Sequence, residues 1–101
     1  MPTIFIVNNS GHDFSQAERQ GRVVVLSTGL IDPFKVTKMY RQFSSMLSTS
    51  RAEDYILMSG PTTMNIIACA IFSALHGRIN LLIWRHGHYT KRTIVLREAG
   101  R

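Results

Sequence analysis

The sequence predicts an α/β fold, a small three-layer Rossmann-like domain with a mostly parallel sheet and a C-terminal antiparallel hairpin. Short apolar runs rich in β-branched residues alternate with segments of helical periodicity. Residues 22–26 (RVVVL) are almost continuously apolar, which is typical of a strand buried on both faces of a parallel sheet. The chain has 101 residues, 45% of them hydrophobic, which suits a single domain over residues 1–101.

The first unit of the chain reads as a strand, a polar turn and a short helix. Residues 3–7 (TIFIV) are apolar and β-branched, and Asn, Ser and Gly residues follow them. Residues 14–20 are expected to form about two helical turns, with Asp13 as N-cap and Gly21 as the end. The strand at 22–26 comes next.

A second helix is expected to start at Asp32 and Pro33, a favoured N-terminal pair, and to run to about Leu47. Its apolar residues recur at helical spacing, so one side should pack on the sheet. These residues are Phe34, Val36, Met39, Tyr40, Phe43, Met46 and Leu47. The third strand is expected at residues 54–58.

The third helix, Thr62–His76, is apolar on nearly every side and is expected to end at Gly77. A helix of this kind has to be covered on every side, and a chain of this length has little left to cover it. We therefore expect a homodimer through this helix. The alternative is that the preceding helix and neighbouring loops cover it.

The last two strands are expected at residues 79–84 and 89–96, joined by a turn that contains Gly87. The final strand should be antiparallel and lie at an edge, because it carries Lys91 and Arg92. Trp84 is expected to point into the core. Residues after Arg97 are expected to form a frayed tail.

Positive charge is concentrated near the C-terminus. The net charge is +6, and the residues after His76 include six basic side chains against one acid, Glu98. Such a basic segment favours a nucleic acid, nucleotide or phosphate partner. Alternatively, these charges only solvate an edge strand.

Small polar residues follow each predicted parallel strand, where ligands of open α/β sheets bind. The bend at residues 59–63 (SGPTT) is the best candidate, because a glycine and a helix N-terminus can approach an anion closely. Ser59, Gly60, Thr62 and Thr63 are expected to cradle the anion, Asn8, Asn9, Ser27 and Thr28 to hold sugar or base groups, and Arg85 to neutralise charge. Plain helix capping is the alternative for the hydroxyls.

Residues 54–77 resemble the strand–turn–helix of CRISPR-associated Rossmann-fold (CARF) domains. The turn of those domains often reads Thr-Gly-Gly-Thr-Lys, whereas this chain has Ser59-Gly60-Pro61-Thr62-Thr63 and no lysine. The resemblance implies a cyclic oligonucleotide ligand held in the cleft of a dimer.

Catalysis and metal binding receive little support from the sequence. GxGxxG, GxxxxGK[ST] and GxSxG motifs do not occur. His12, next to Asp13, and His86 are weak catalytic candidates. His86 and His88 without a nearby cysteine or acid make an incomplete metal site, so neither a metal nor a cofactor is expected. Cys69 is expected in the core.

The leading hypothesis is a non-enzymatic protein that binds a nucleotide or other phosphorylated small molecule in a sensor, sequestering or regulatory role. One alternative is an interaction or structural protein that assembles through its apolar helix and contacts nucleic acid or a protein through the basic hairpin. The other is a phosphoester-cleaving enzyme. We expect a soluble cytoplasmic protein without membrane contact, and the small size favours a viral or mobile-element gene.

Overall fold

The computed structural model describes residues 1–96, in which five strands and two α-helices form an α/β domain. The strands are β1 (Thr3–Ile6), β2 (Arg22–Val25), β3 (Tyr55–Leu57), β4 (Arg78–Arg85) and β5 (His88–Val95), and the helices are α1 (Val36–Leu47) and α2 (Thr62–His76). The sheet order is β2-β1-β3-β4-β5, with β5 alone antiparallel to its neighbour. This arrangement confirms the predicted fold class. The expected C-terminal tail lies outside the described residues.

The central strand β1 is buried on both faces and divides the core in two. Phe5 packs on one side with residues of both helices, including Phe43 and Phe72. Ile4 and Ile6 face the other way and pack with Ala17. We call these sides the helix face and the open face. Both helices lie on one face because the crossovers β2–α1–β3 and β3–α2–β4 run in the same direction across the sheet.

The third layer, on the open face, is thinner than predicted. In place of two helical turns, the segment at 12–21 forms one 3-10 turn, Ala17–Arg19. The Asp13 carboxylate accepts a hydrogen bond from the Ser15 amide at 2.8 Å, which closes a local turn before a helix can begin. The prediction that β2 is buried on both faces was wrong, because β2 is an edge strand whose valines are half-buried.

Helix α1 begins later than predicted. The Asp32 carboxylate accepts from the Phe34 amide at 3.0 Å, so Asp32, Pro33 and Phe34 form a turn and the helix starts at Val36. Phe34 is consequently 89% exposed, and Val36 and Tyr40 are also exposed, contrary to the expectation that they pack on the sheet. The predicted residues Met39, Phe43 and Leu47 are buried.

Helix α2 has the predicted bounds. It ends at Gly77, whose φ of 69° gives the left-handed cap that glycine adopts without a steric cost. Its buried residues are Met64, Ile67, Ala68, Ile71 and Phe72. Ile66 and Leu75 lie on the outer side and are more than half exposed. Within residues 1–96, neither helix is long and apolar enough to cross a membrane.

Buried polar side chains join the strands at their amino ends. Asp54 is buried, and its carboxylate accepts from the amides of Thr3 at 2.8 Å and Arg51 at 2.7 Å. The amide group of Asn80 donates to the carbonyls of Ala52 and Asp54. These bonds fix the loop before β3 against β1 and β4.

Asp54→Ala is expected to lower the free energy of unfolding by about 2–4 kcal/mol, because two backbone amides lose their acceptor. Glu53→Ala is the matched control, since Glu53 is exposed and the change should stay within about 0.5 kcal/mol. Urea unfolding followed by circular dichroism measures both. Equal effects of the two changes would contradict this account of Asp54.

Candidate functional site

The bends that follow β1, β2 and β3 (residues 8–11, 27–29 and 59–63) meet at the carboxyl ends of these strands, as the sequence predicts, and we call this surface the rim. Asn9 and Thr28 form an isolated parallel bridge, and the Asn9 amide donates to the Ser27 carbonyl at 2.9 Å. The Asn8 amide donates to the Ser59 hydroxyl at 3.0 Å, and this hydroxyl donates back to the Asn8 carbonyl at 2.8 Å. The bend at 59–63 is therefore held directly against the end of β1.

Asn8, Ser27 and Ser59 use their side chains within this rim. The Ser27 hydroxyl contacts the Val7 carbonyl at 2.7 Å and Asn8 Oδ1 at 2.9 Å. Asn8 Nδ2 donates to the Gly29 carbonyl at 3.2 Å. Asn8 and Ser27 are buried. These three residues position the three bends rather than present free groups at the surface.

The bend at 59–63 is organised by Asn65, a residue that the sequence analysis did not single out. Its Oδ1 accepts from the Ser59 amide at 2.9 Å, and its Nδ2 donates to the carbonyls of Ser59 at 3.1 Å and Pro61 at 3.0 Å. The sequence signal that could have identified Asn65 is a lone amide side chain in the first turns of an otherwise apolar helix. Asn65 thus holds the bend in shape from inside α2.

The N-terminus of α2 has no side-chain cap, because Pro61 occupies the N-cap position with an extended backbone. The first turn therefore presents the amides of Thr62 and Thr63 and the positive end of the helix dipole. The Thr62 side chain is exposed and that of Thr63 half-buried. Capping by the Ser or Thr hydroxyls, the alternative in the sequence analysis, does not occur here.

Thr28 and Arg85 are exposed, and Asn9 is half-buried at the same rim. The Asn9 side chain accepts from the Gly11 amide at 3.1 Å and shapes the first bend. Arg85 ends β4, and strand alternation from Leu81 places it on the helix face, the side on which α2 packs. Arg85 and the first turn of α2 consequently both lie at the carboxyl ends of the strands, on the helix face of the sheet.

An aromatic cleft of about 310 Å³ lies beside the bend, on the open face. Trp84 and Tyr89 form one wall, with ring centroids 4.9 Å apart and nearly perpendicular rings, and Phe14 lines the cleft from the segment at 12–21. Ser59 and Gly60 also line it. Trp84 is 53% exposed, so the prediction that it points into the core was wrong. The hairpin register pairs it with Tyr89 across the strands.

Asp13 gives the cleft a negative group. The hydrogen bond from the Ser15 amide, followed by the Ser15 side chain, holds the pKa of the exposed Asp13 carboxyl below its usual value. Burial raises the pKa of Tyr89, and the negative charge of Asp13 adds to this effect. The cleft therefore combines aromatic walls with one ionised hydrogen-bond acceptor.

The two catalytic candidates lie apart in the chain and differ in setting. His12 lines the cleft, with its ring 6.2 Å from that of Phe14, but the hydrogen bond that Asp13 makes is to Ser15. His86 is exposed at the tip of the hairpin, where its φ is 52°. Residues 1–96 contain no group of three His, Cys, Asp or Glu side chains that could hold a metal.

Cys69 is half-buried and packs against the core on the helix face. Burial raises the pKa of its thiol, which favours the unreactive protonated form.

Gly60→Ala is expected to destabilise the rim more than an ordinary glycine substitution. Gly60 has a φ of 78°, and an added Cβ would lie 2.7 Å from Cβ of Asn8. Gly87→Ala is the matched control, because Gly87 has a φ of 83° with open space around it. Thermal and urea unfolding should show an extra loss of about 1–3 kcal/mol for Gly60→Ala. Equal losses would mean that the contact with Asn8 can relax.

A family model described as phage Pam3 gp32-like protein matches residues 2–96. No curated protein and no solved structure gives a match. The family match covers nearly the whole chain and agrees with the expectation of a viral protein. The chain belongs to the phage Pam3 gp32-like protein family.

Proposed function

We propose that this phage-family protein binds a nucleotide or other phosphorylated small molecule at the rim, without turning it over. The observation that carries the proposal is the joining of the bends after β1, β2 and β3 beside an uncapped helix N-terminus and an aromatic cleft. Such an arrangement offers separate environments for an anion and for a flat ring. A protein of this kind would act as a sensor, a sequestering protein or a regulator.

The anion would bind at the first turn of α2. The amides of Thr62 and Thr63 supply donors, and the helix dipole favours negative charge there. The exposed hydroxyl of Thr62 adds another donor, and Arg85 adds positive charge from the same edge. Asn8, Ser27 and Ser59 support this site from behind, because their hydrogen bonds fix the bend.

The ring of the ligand would bind in the aromatic cleft. The rings of Trp84, Tyr89 and Phe14 offer apolar surface of the kind on which a nucleobase stacks. Ionised Asp13 can accept hydrogen bonds from amino groups on the base. Binding without turnover is supported by Asp13 bonding to Ser15, which leaves the pair of His12 and Asp13 unsuited to act as base and orienting acid.

Thr62→Glu is expected to abolish ligand-dependent stabilisation, because the new carboxylate would stand at the anion position. With a bound nucleotide at about 100 times its Kd, the free energy of unfolding of the parent protein should rise by about 2.7 kcal/mol. Differential scanning fluorimetry against a panel of mononucleotides and cyclic nucleotides measures this change. Ala52→Glu, in the exposed loop before β3 at the opposite end of the strands, is the control that should keep the ligand response.

A panel without any stabilising compound, or equal responses of the two variants, would contradict the proposed function.

We also propose that the protein is a homodimer through the outer surface of α1 and α2. A groove of about 350 Å³ runs between the helices and is lined by Tyr40, Ala70, Ile71, Ala74 and Leu75. Tyr40 and Leu75 are each more than half exposed. Large apolar side chains around an apolar groove are typical of subunit interfaces, and a two-fold axis would let each copy cover the groove of the other.

Ala70→Arg is expected to convert the dimer to a monomer, because it places a charged side chain in the groove without removing a buried one. Gln16→Arg adds the same charge on the opposite side of the sheet and should leave the dimer intact. Light scattering coupled to size-exclusion chromatography gives the masses. A parent protein that stays monomeric at high concentration would contradict the dimer.

A further inference from the structure

The open face carries a row of aromatic and basic side chains that extends well beyond the rim. Trp84 and Tyr89 form a cross-strand pair at one end. Further along, Lys91 lies over the ring of Tyr55, with Nζ 5.3 Å from the ring centroid. Tyr55 and Tyr89 are half-buried in the same apolar cluster, which places both rings on this face. The row follows β4, whose eight residues span roughly 26 Å.

Positive charge collects at the end of the row that is distant from the rim. An open cavity of about 750 Å³ is lined there by Tyr55 and by the basic side chains of Arg22, Arg51 and Lys91. The acids around it are partly engaged within the chain. Asp54 is bonded to two backbone amides, and Glu53 lies 3.9 Å from Arg51 in an exposed ion pair. The basic groups outnumber the acidic ones around this cavity.

This face is accessible because the segment at 12–21 is too short to cover it. The segment packs its 3-10 turn on β2, and Ala17 is its buried residue. Both α-helices lie on the other side of the sheet. Trp84, Lys91 and Thr93 consequently remain exposed on β4 and β5. A helix of ordinary length at 12–21 would have covered more of the sheet.

We propose that the open face binds a single-stranded nucleic acid, whose bases stack on Trp84, Tyr89 and Tyr55 and whose phosphates contact Lys91 and, in the cavity at the amino ends of the strands, Arg51. Aromatic rings interleaved with basic groups suit a single strand, because its bases are free to leave their own stack. Stacking of this kind is tolerant of sequence, since every base has a π-face. This surface goes beyond the rim site, because Tyr55, Lys91 and Arg51 lie outside the aromatic cleft.

Lys91 and Arg92 provide a matched test of the face that binds. They are neighbours with equal charge, but strand alternation puts Lys91 opposite Leu82 on the open face and Arg92 opposite Leu81 on the helix face. Fluorescence anisotropy with a labelled oligothymidylate gives Kd over a series of salt concentrations. Lys91→Gln should weaken binding and reduce the slope of log K against log salt by about 0.7, whereas Arg92→Gln should change neither.

Tyr55→Leu tests stacking. It keeps an apolar side chain under Lys91, and Kd for the oligothymidylate should rise between about 5-fold and about 150-fold. Phe34→Leu removes an exposed aromatic ring from the turn before α1, away from the open face and the groove between the helices, and should leave Kd unchanged. Circular dichroism checks that both variants are folded. Mononucleotide stabilisation at the rim should persist in Tyr55→Leu and Lys91→Gln, so failure of this proposal is separable from failure of the rim site.

Three results would overturn the proposal. The first is no binding of the oligothymidylate at low salt. The second is binding of duplex DNA as tight as that of the single strand, because a duplex does not offer free bases to Tyr55. The third is an equal effect of Lys91→Gln and Arg92→Gln, which would mean that net charge alone attracts the strand.

Discussion

The hydroxyl of Ser59 joins the end of the central strand to the start of α2, and the geometry of the rim depends on this contact. It accepts from the Asn8 amide and donates to the Asn8 carbonyl, so it continues the parallel pairing of β1 and β3 after the strands themselves end. Ser27 reaches the same residue from the next bend through Asn8 Oδ1. A buried hydrogen-bonding group left without its partner is costly, so the three bends are expected to hold their positions together.

Buried side chains hold the loops in place at both the amino and the carboxyl ends of the parallel strands, but only the carboxyl ends form the rim. At the amino ends of the strands, Asp54 and Asn80 satisfy backbone groups beside the C-termini of the helices, which carry the negative end of the helix dipole. At the carboxyl ends, the side chains of Asn8, Ser27 and Asn65 form hydrogen bonds with backbone carbonyls of the bends, while the first turn of α2 has no side-chain cap. Within residues 1–96, all buried polar side-chain atoms have a hydrogen-bond partner. The unpaired amides of α2 therefore stand at the surface beside a well-satisfied interior.

Local sequence signals predict this fold well where they act alone. Pro61 and Gly77 fix the bounds of α2, and the apolar run of β1 fits a central strand. These sequence signals fail where a local side-chain hydrogen bond competes with the predicted helix. The carboxylates of Asp13 and Asp32 each bond to the amide two residues later, which forms turns in place of the predicted helix starts. Trp84 was misjudged because the segment at 12–21 forms one 3-10 turn in place of the predicted helix and leaves this part of the open face uncovered.

The central position of β1 has a consequence for synthesis of the chain. Ser59 lies 51 residues after Asn8, so the first strand lacks one of its two neighbours until more than half of the polypeptide has been made. Contacts between distant residues slow folding, and an apolar strand with a vacant side is prone to aggregate meanwhile. The antiparallel β4–β5 pair, by contrast, consists of near neighbours that can associate as soon as they emerge from the ribosome.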